Sequence, residues 1–367
     1  ILVIFSIENI ITFILYLQNN RKFFMRMFLK VSFVLVLFLP LISNCQNAQR
    51  DSFYVANWNV ENLFDTIDDP VKDDKEFLPG SPLQWNDEKY EQKLTNLAKV
   101  INYMNNGCGP DILAVEEVEN INVLKRLIYK LRDRDYIIAH RNSPDARGID
   151  VGLLYDRSIF DIDSLAAIHV ELPNHNPTRD ILHIVLIHKK SKEKIHVYVN
   201  HWPSRRGGEL KSNTNRIAAA EVLKSSLETL ASTSPKSNVI ILGDFNDEPN
   251  NESIEQYLGA KDFNCGSKTN LSFVNLTYKK FSNKEGSYLF GGKFGMIDQI
   301  IISSSFLDGK GLEYECNSFD VIKPPFMISQ KGNRKGGAIP TFNGSIYVGG
   351  YSDHYPVGAK FRVKGKK

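Results

Sequence analysis

Several apolar runs in this chain end on an acid, an amide or a histidine. Phe53-Tyr54-Val55-Ala56-Asn57-Trp58 runs into Asn59-Val60-Glu61-Asn62, and Ile112-Leu113-Ala114-Val115 runs into Glu116-Glu117. Val197-Tyr198-Val199-Asn200 leads to His201, Val239-Ile240-Ile241-Leu242 to Gly243-Asp244-Phe245-Asn246, and Met296-Ile297 to Asp298. A buried strand that delivers a carboxylate to its end is costly unless a metal, a counter-charge or a hydrogen bond receives it. Convergence of these ends therefore implies a charged ligand.

The elements that must position these residues are short and interleaved. Strand candidates rich in β-branched and aromatic residues are 53–58, 112–115, 151–155, 183–188, 195–200, 239–242 and 296–302. Helix candidates, with apolar residues at three- and four-residue intervals, are 86–104, 120–131 and 213–230. This alternation predicts a layered α/β architecture. No composition break divides the chain after residue 51, so residues 51–364 read as one catalytic domain.

The strings Asn57-Trp58-Asn59-Val60-Glu61-Asn62, Asp111 to Glu117, Gly243-Asp244-Phe245-Asn246 and Ser352-Asp353-His354-Tyr355-Pro356-Val357 occur in one particular order. In that order the chain resembles the endonuclease/exonuclease/phosphatase superfamily, which includes pancreatic-type deoxyribonucleases and apurinic/apyrimidinic endonucleases. The resemblance covers nearly all of the chain after Ser52. It implies an α/β (α+β) fold of the DNase I-like type, a four-layer sandwich of two packed mixed β-sheets flanked by helices. The site should lie at one edge of that sandwich.

Phosphoester cleavage needs a metal to neutralise phosphate oxygens, a water placed in line, and help for the leaving oxygen. By resemblance, Glu117 is the principal metal ligand, with Asn59 and Asp353 completing an oxygen-rich shell that suits Mg²⁺ or Mn²⁺. Glu116 should point to the opposite face of its strand and is not expected to be a ligand. Asp298 resembles the acid that holds His354, which then acts as general base or binds the scissile phosphate. Asp244 and Asn246 match the pair that positions the attacking water or the leaving group. His201 matches a histidine of the secreted deoxyribonucleases, assigned to leaving-group protonation or phosphate binding. Asp150 is a candidate partner for His201.

Arg205, Arg206 and Arg216 follow His201 closely and are candidates for gripping a phosphate through the guanidinium fork; a solvated loop, or for Arg216 a structural ion pair, is the competing reading. The basic run 331–335 reads as a surface loop, with a lip for a polyanionic substrate as the alternative. Trp202 either stacks on a base or sugar or packs in the sandwich edge. His140, His169, His175, His183, His188 and His196 match no motif and read as structural.

At 367 residues with 42% hydrophobic side chains, the chain is long enough to bury a large core. The formal charge of +3 is carried by Arg21, Lys22, Arg26 and Lys30 against Glu8, so the body is neutral. A neutral body argues against a broad cationic face for duplex DNA, though not against a local phosphate site. Residues 1–48 read as an N-terminal extension and signal. From Met25 a charged start, an apolar run and small polar residues follow in the order of a secretory signal peptide. Ile42-Ser43-Asn44-Cys45 also resembles a lipobox, in which Cys45 would be acylated and attach the protein to a membrane; ordinary cleavage is the alternative. Residues 1–24 read as an upstream extension outside the translated chain, with an added membrane segment as the alternative. Either processing route implies an exported protein, periplasmic, on the cell surface or secreted. The cysteines form no CxxC pair, so neither a zinc site nor a disulfide framework is expected, and Cys265 and Cys316 read as isolated before paired.

Three functions compete. The first is a nuclease-type phosphodiesterase acting on DNA or RNA, supported by His201 and by export. The second is a phosphatase or phosphodiesterase for small or lipid phosphates such as inositol phosphates, sphingomyelin-like lipids or nucleotides, which the neutral body suits. The third, an inactive binding module, is disfavoured because every expected site residue is present. The core residues do not separate the first two; the loops 65–83, 204–213, 272–292 and 323–350 must.

Overall fold

The computed structural model describes residues 51–131, 134–267 and 269–364. The segment read as a signal, with its apolar run and Cys45, lies outside the described residues. The longer strands of the first half are β1 (Ser52–Leu63), β2 (Ile112–Val118), β3 (Tyr136–His140), β4 (Asp150–Asp156), β5 (Phe160–Ile168), β6 (Ile181–His188), β7 (Lys194–His201) and β8 (Asn238–Asp244). Then come β9 (Ala260–Lys261), β10 (Phe273–Asn275), β11 (Tyr288–Phe290), β12 (Lys293–Gly295) and β13 (Asp298–Ser303). The last are β14 (Leu312–Tyr314), β15 (Asp320–Val321), β16 (Phe342–Asn343), β17 (Ile346–Tyr347) and β18 (Val357–Val363). The α-helices are α1 (Asp87–Gly107), α2 (Ile121–Lys130), α3 (Glu209–Thr233) and α4 (Tyr278–Ser282).

One sheet runs β14-β18-β1-β2-β4-β3, with β15 also on β18; the other runs β5-β6-β7-β8-β13-β10-β9. Both are mixed: β1 with β2 and β7 with β8 are parallel, whereas β1 with β18 and β8 with β13 are antiparallel. The central strands β1, β2 and β4 face β7, β8 and β13, so two packed sheets flanked by helices form the sandwich that the resemblance implied.

The second sheet shows why its strands read as continuous apolar runs. Val197, Val199, Ile240, Leu242, Ile300 and Ile302 join the core between the sheets. Tyr198, Val239, Ile241 and Ile301 alternate with them and pack under Ala219, Ala220, Leu223 and Leu227 of α3. Strands covered on both faces need apolar residues at every position, as side chains alternate between faces. One further step of the inner alternation carries His201, Asp244 and Asp298 to the inter-sheet side at the sandwich edge.

Helix α1 starts where the Asn86 side chain accepts the Lys89 backbone N–H, a capping bond that satisfies one free donor of the first turn. Strands β3, β5 and β18 were not among the expected elements. In β5 only Phe160 is buried, so an edge strand with polar residues on both faces carries little hydrophobic signal. The Cys265–Cys316 disulfide is a correction to the isolated reading: the two Cα atoms lie 5.7 Å apart across a separation of 51 residues, a proximity that only the fold creates. Among the described residues, no helix is long and apolar enough to cross a membrane.

Candidate active site

Backbone register sets the site. His201 pairs with Asp244 across β7 and β8, and Asp244 pairs with Asp298 across β8 and β13, giving one row of three functional side chains. On the opposing sheet Asn59 pairs with Glu116. Gly243 makes the row possible: its φ is +149°, and a Cβ there would meet the Asn200 carbonyl oxygen at 2.0 Å. Glu61, Asn62, Glu117 and Asn246 hold φ values of 54°, 50°, 62° and 51°. Left-handed backbone at the two acids Glu61 and Glu117, which lack the tolerance of asparagine for this region, marks a backbone held by its surroundings.

Asn59 bridges the sheets. Its Nδ2 donates to Asp244 Oδ2 at 3.1 Å and to Glu117 Oε1 at 3.3 Å. The other Glu117 oxygen accepts the Asn62 N–H at 3.0 Å. Asp353 is electrostatically close to Glu117, and burial followed by the Glu117 charge tends to push its carboxyl up, against the pull of His354. Glu117 and Asp353 thus face each other with like-charge repulsion, which a hard divalent cation would relieve; Asn59, whose Nδ2 faces the acids while its Oδ1 accepts the Glu61 N–H, would join the shell with its amide turned to present the oxygen. Asp244, Asp298 and His354 also bring ligand atoms within 4.8 Å of one another. Their atoms, however, already engage one another and Ser287.

His354 Nδ1 meets Asp298 Oδ2 at 2.8 Å, and Ser287 Oγ donates to the same oxygen at 2.5 Å. Burial opposes a charge on the imidazole, but the Asp298 charge and hydrogen bond, with Asp353 and Asp244, outweigh it and hold His354 well above its ordinary range. Its Nε2 faces Asp244 Oδ2 and Asp353 Oδ1, each at 4.0 Å. The loop is pinned to β1: Trp58 Nε1 donates to the His354 carbonyl, and Ser352 Oγ donates to the Asn59 carbonyl.

His201 is the counterpart of opposite charge state. Burial, then the Arg179 and Arg147 cations and His354, push it well below its ordinary range. Its Nε2 lies 3.8 Å from Asp244 Oδ2 and 3.9 Å from Glu117 Oε1. Burial, then the Asp298 charge, push the Asp244 carboxyl up. Asn246 donates its backbone N–H to Asp244 Oδ1 at 2.9 Å and its Nδ2 to the Trp202 carbonyl at 3.0 Å. All of Asn59, Glu117, His201, Asp244, Asn246, Asp298, Asp353 and His354 therefore gather at one edge.

Other expectations fail, each for a physical reason. Asp150 does not reach His201: its carboxylate binds His140 Nε2 at 3.0 Å and Ser143 N and Oγ, and His201 Nδ1 has no partner among the described residues. Glu116 does not turn away from the site. The bulge at Glu117 breaks the alternation, and Glu116, paired with inward-facing Asn59, is fully buried. Burial, then Asp298 and Asp244, push its carboxyl well up. Trp202 is buried against Phe245 at 4.8 Å and packs instead of stacking on substrate.

Arg216 is a structural residue: fully buried, it pairs with Asp247 at 2.7 Å and donates to Ser212 Oγ and the Glu209 carbonyl. Arg205 donates to the Asn246 carbonyl, Asp247 and Asn251, so it braces the Asp244–Asn246 turn; Arg206 is exposed. Removing Asp247 as Asp247→Ala would strand the Arg216 charge in the interior, with an expected loss of about 3–5 kcal/mol in chemical denaturation. A loss under about 1 kcal/mol would contradict the structural assignment.

Residues that the motifs did not flag also hold the site. Arg179 donates to the His201 and Trp202 carbonyls at 3.2 and 2.8 Å and fixes the end of β7. Lys93 of α1 is buried, donates to Thr341 Oγ1 at 2.6 Å and to the Tyr351 carbonyl, and lies 3.6 Å from Glu61. Only a lysine inside the apolar stripe of a helix hinted at the second.

A two-sheet sandwich with acids and two histidines converging on one edge defines a metal-dependent phosphoester hydrolase. Residues 54–362 match the sequence model of the Endonuclease/Exonuclease/phosphatase family, and the chain belongs to that family. Among solved structures, an endonuclease/exonuclease/phosphatase family protein from Bacteroides thetaiotaomicron is similar at TM-score 0.53 and 17% identity, over 86% of this chain and 100% of that one. Truncated TDP2 from Caenorhabditis elegans is similar at TM-score 0.51 and 17% identity, over 85% and 98%. The mannosyl-6-phosphatase of Bacteroides thetaiotaomicron is similar at TM-score 0.51 and 16% identity, over 84% and 99%. At such identities the likeness concerns the fold. No curated protein matches the chain.

Proposed function

We propose that this protein is an exported phosphodiesterase of the nuclease type, using Mg²⁺ or Mn²⁺. The observation that carries the reading is the pair of histidines on either side of Asp244, with His201 Nε2 and His354 Nε2 at 3.8 and 4.0 Å from its Oδ2. A cation held by Asn59, Glu117 and Asp353 would neutralise phosphate oxygens. His354, oriented by Asp298, presents its Nε2–H to a phosphate oxygen. Asp244, braced by Asn59 and Asn246, holds the attacking water and accepts its proton. His201 stands at the far end of the row, where the leaving oxygen of a diester would be met.

The neutral body favours a second reading, a phosphatase for small or lipid phosphates. The mannosyl-6-phosphatase among the structural neighbours is a phosphatase on a similar fold, which supports this reading. The test is hydrolysis of plasmid DNA, RNA, bis(p-nitrophenyl) phosphate and a phosphomonoester panel, with Mg²⁺, Mn²⁺ or EDTA. EDTA-sensitive cleavage of nucleic acid and of the diester is expected; intact nucleic acid beside cleaved monoesters would transfer the function to the second reading.

A further inference from the structure

The wall of the site beside His354 is built from two segments that carry no expected catalytic residue. The hairpin of β11 and β12 turns at Gly291-Gly292, with φ values of +56° and +78°, and pairs Phe290 with Lys293. Paired left-handed glycines give the tight two-residue turn whose twist matches the strands. Tyr288 bridges to His354 in the backbone. Its ring lies on the imidazole, centroids 4.5 Å apart and planes 27° apart, and Phe290 follows at 6.3 Å with a 12° tilt. The three rings therefore form a ladder that climbs from the phosphate site to the hairpin tip, where Phe290 is 76% exposed.

The second segment is the 329–337 loop, closed by Ser329 N–H to the Gly337 carbonyl and Gly336 N–H to the Ser329 carbonyl. A Cβ on Gly337 would meet Leu289 Cδ2 at 2.7 Å, so the loop and hairpin are in close contact. Arg334 from this loop lies within electrostatic reach of Asp353 and Tyr288. Its Nη1 is buried and, among the described residues, has no hydrogen-bond partner. An orphaned guanidinium N–H is costly unless the acceptor arrives with the ligand, and beside a phosphate site that acceptor is a phosphate oxygen. A single exposed phenylalanine is ordinary; one aligned through Tyr288 with the catalytic imidazole and paired across the hairpin with Lys293 is a stacking face with a charge opposite it.

We propose that Phe290, Tyr288 and Arg334 form a subsite for a phosphoester that carries a planar ring, a nucleotide rather than a sugar or lipid phosphate. This deepens the phosphodiesterase reading and rests on it. The centroid steps from His354 to Tyr288 and on to Phe290 are 4.5 and 6.3 Å, so the exposed ring stands on the side of the phosphate site where the far end of a nucleotide would lie. Base–aromatic stacking is indifferent to base identity, so the subsite selects a ring and not a sequence.

The test is calorimetric binding of adenosine 5′-monophosphate, ribose 5-phosphate and adenosine to the purified protein in Mg²⁺. Hydrolysis of bis(p-nitrophenyl) phosphate is measured on the same preparation. Adenosine 5′-monophosphate should bind about tenfold more tightly than ribose 5-phosphate. Phe290→Ala should reduce that ratio to within about twofold, and Phe290→Trp should preserve it. Arg334→Gln should weaken both phosphates alike and leave adenosine unchanged. Equal affinity for the two phosphates in the unmodified protein, or a ratio unmoved by Phe290→Ala, overturns the subsite. Cleavage of the diester alongside equal affinities would leave the phosphodiesterase reading standing. Ring-dependent binding without any diester cleavage would do the reverse.

Discussion

Replacing Glu117 by Gln is expected to remove turnover while leaving the fold intact. Glu117 is the acid that Asn59 and the Asn62 N–H orient from two sides, and glutamine keeps the shape and an acceptor for the Asn62 bond while deleting the charge. Lost charge stabilisation by a held cation amounts to several kcal/mol, so kcat/KM should fall on the order of 10³-fold. The folded state has little to lose, because Glu117 and Asp353 repel each other. Thermal melting without metal should therefore match or exceed that of the unmodified protein, and the stabilisation produced by added Mg²⁺ should shrink as binding weakens. Undiminished turnover at saturating Mg²⁺ would remove Glu117 from the ligand set. His183→Ala provides the contrast: His183 stacks on Tyr198 at 4.2 Å on the outer side of the sheet, and its loss should leave the rate unchanged.

The contrast between Glu117 and Glu116 shows where reading the chain succeeds and where it stops. His201, Asp244 and Asp298 were legible as polar ends of apolar runs, because a strand covered on both faces writes itself into sequence as an unbroken apolar run and its end stands out. Strict alternation misplaced Glu116, because the left-handed Glu117 inserts a bulge and alternation does not survive one extra residue. Ion-pair partners were less legible still. Asp150 is held by His140 and Ser143, ten and seven residues away in sequence, whereas Arg216 finds Asp247 only through tertiary packing. Charge type and spacing carried no information about either choice. Phe290 and Arg334 sit in loops already suspected of setting substrate choice, but their alignment with His354 depends on a hairpin turn and a glycine contact that no motif encodes.

The Asp298–His354 pair can be separated from mere packing by Asp298→Asn. Asparagine preserves an oxygen for His354 Nδ1 and for Ser287 Oγ, so ring orientation, the Tyr288 stack and the Ser352 anchors should survive. The negative charge that offsets burial of the imidazolium disappears, and with it the principal influence holding His354 in its charged form. Its folded-state value should therefore fall, and the high-pH limb of activity should move toward acid if the imidazolium form binds phosphate. A positioned proton donor is worth roughly 10²–10⁴-fold, and a loss of kcat in that range, greatest at alkaline pH, is the expected result. The lost attraction to the imidazolium is offset by relieved repulsion of Asp244 and Glu116, and a neutral His354 leaves no stranded charge, so only a small change in melting temperature should accompany the slow enzyme. A uniform loss with an unmoved pH profile would instead reduce Asp298 to a scaffold for the loop, and Asp244 alone would then have to manage the proton of the attacking water.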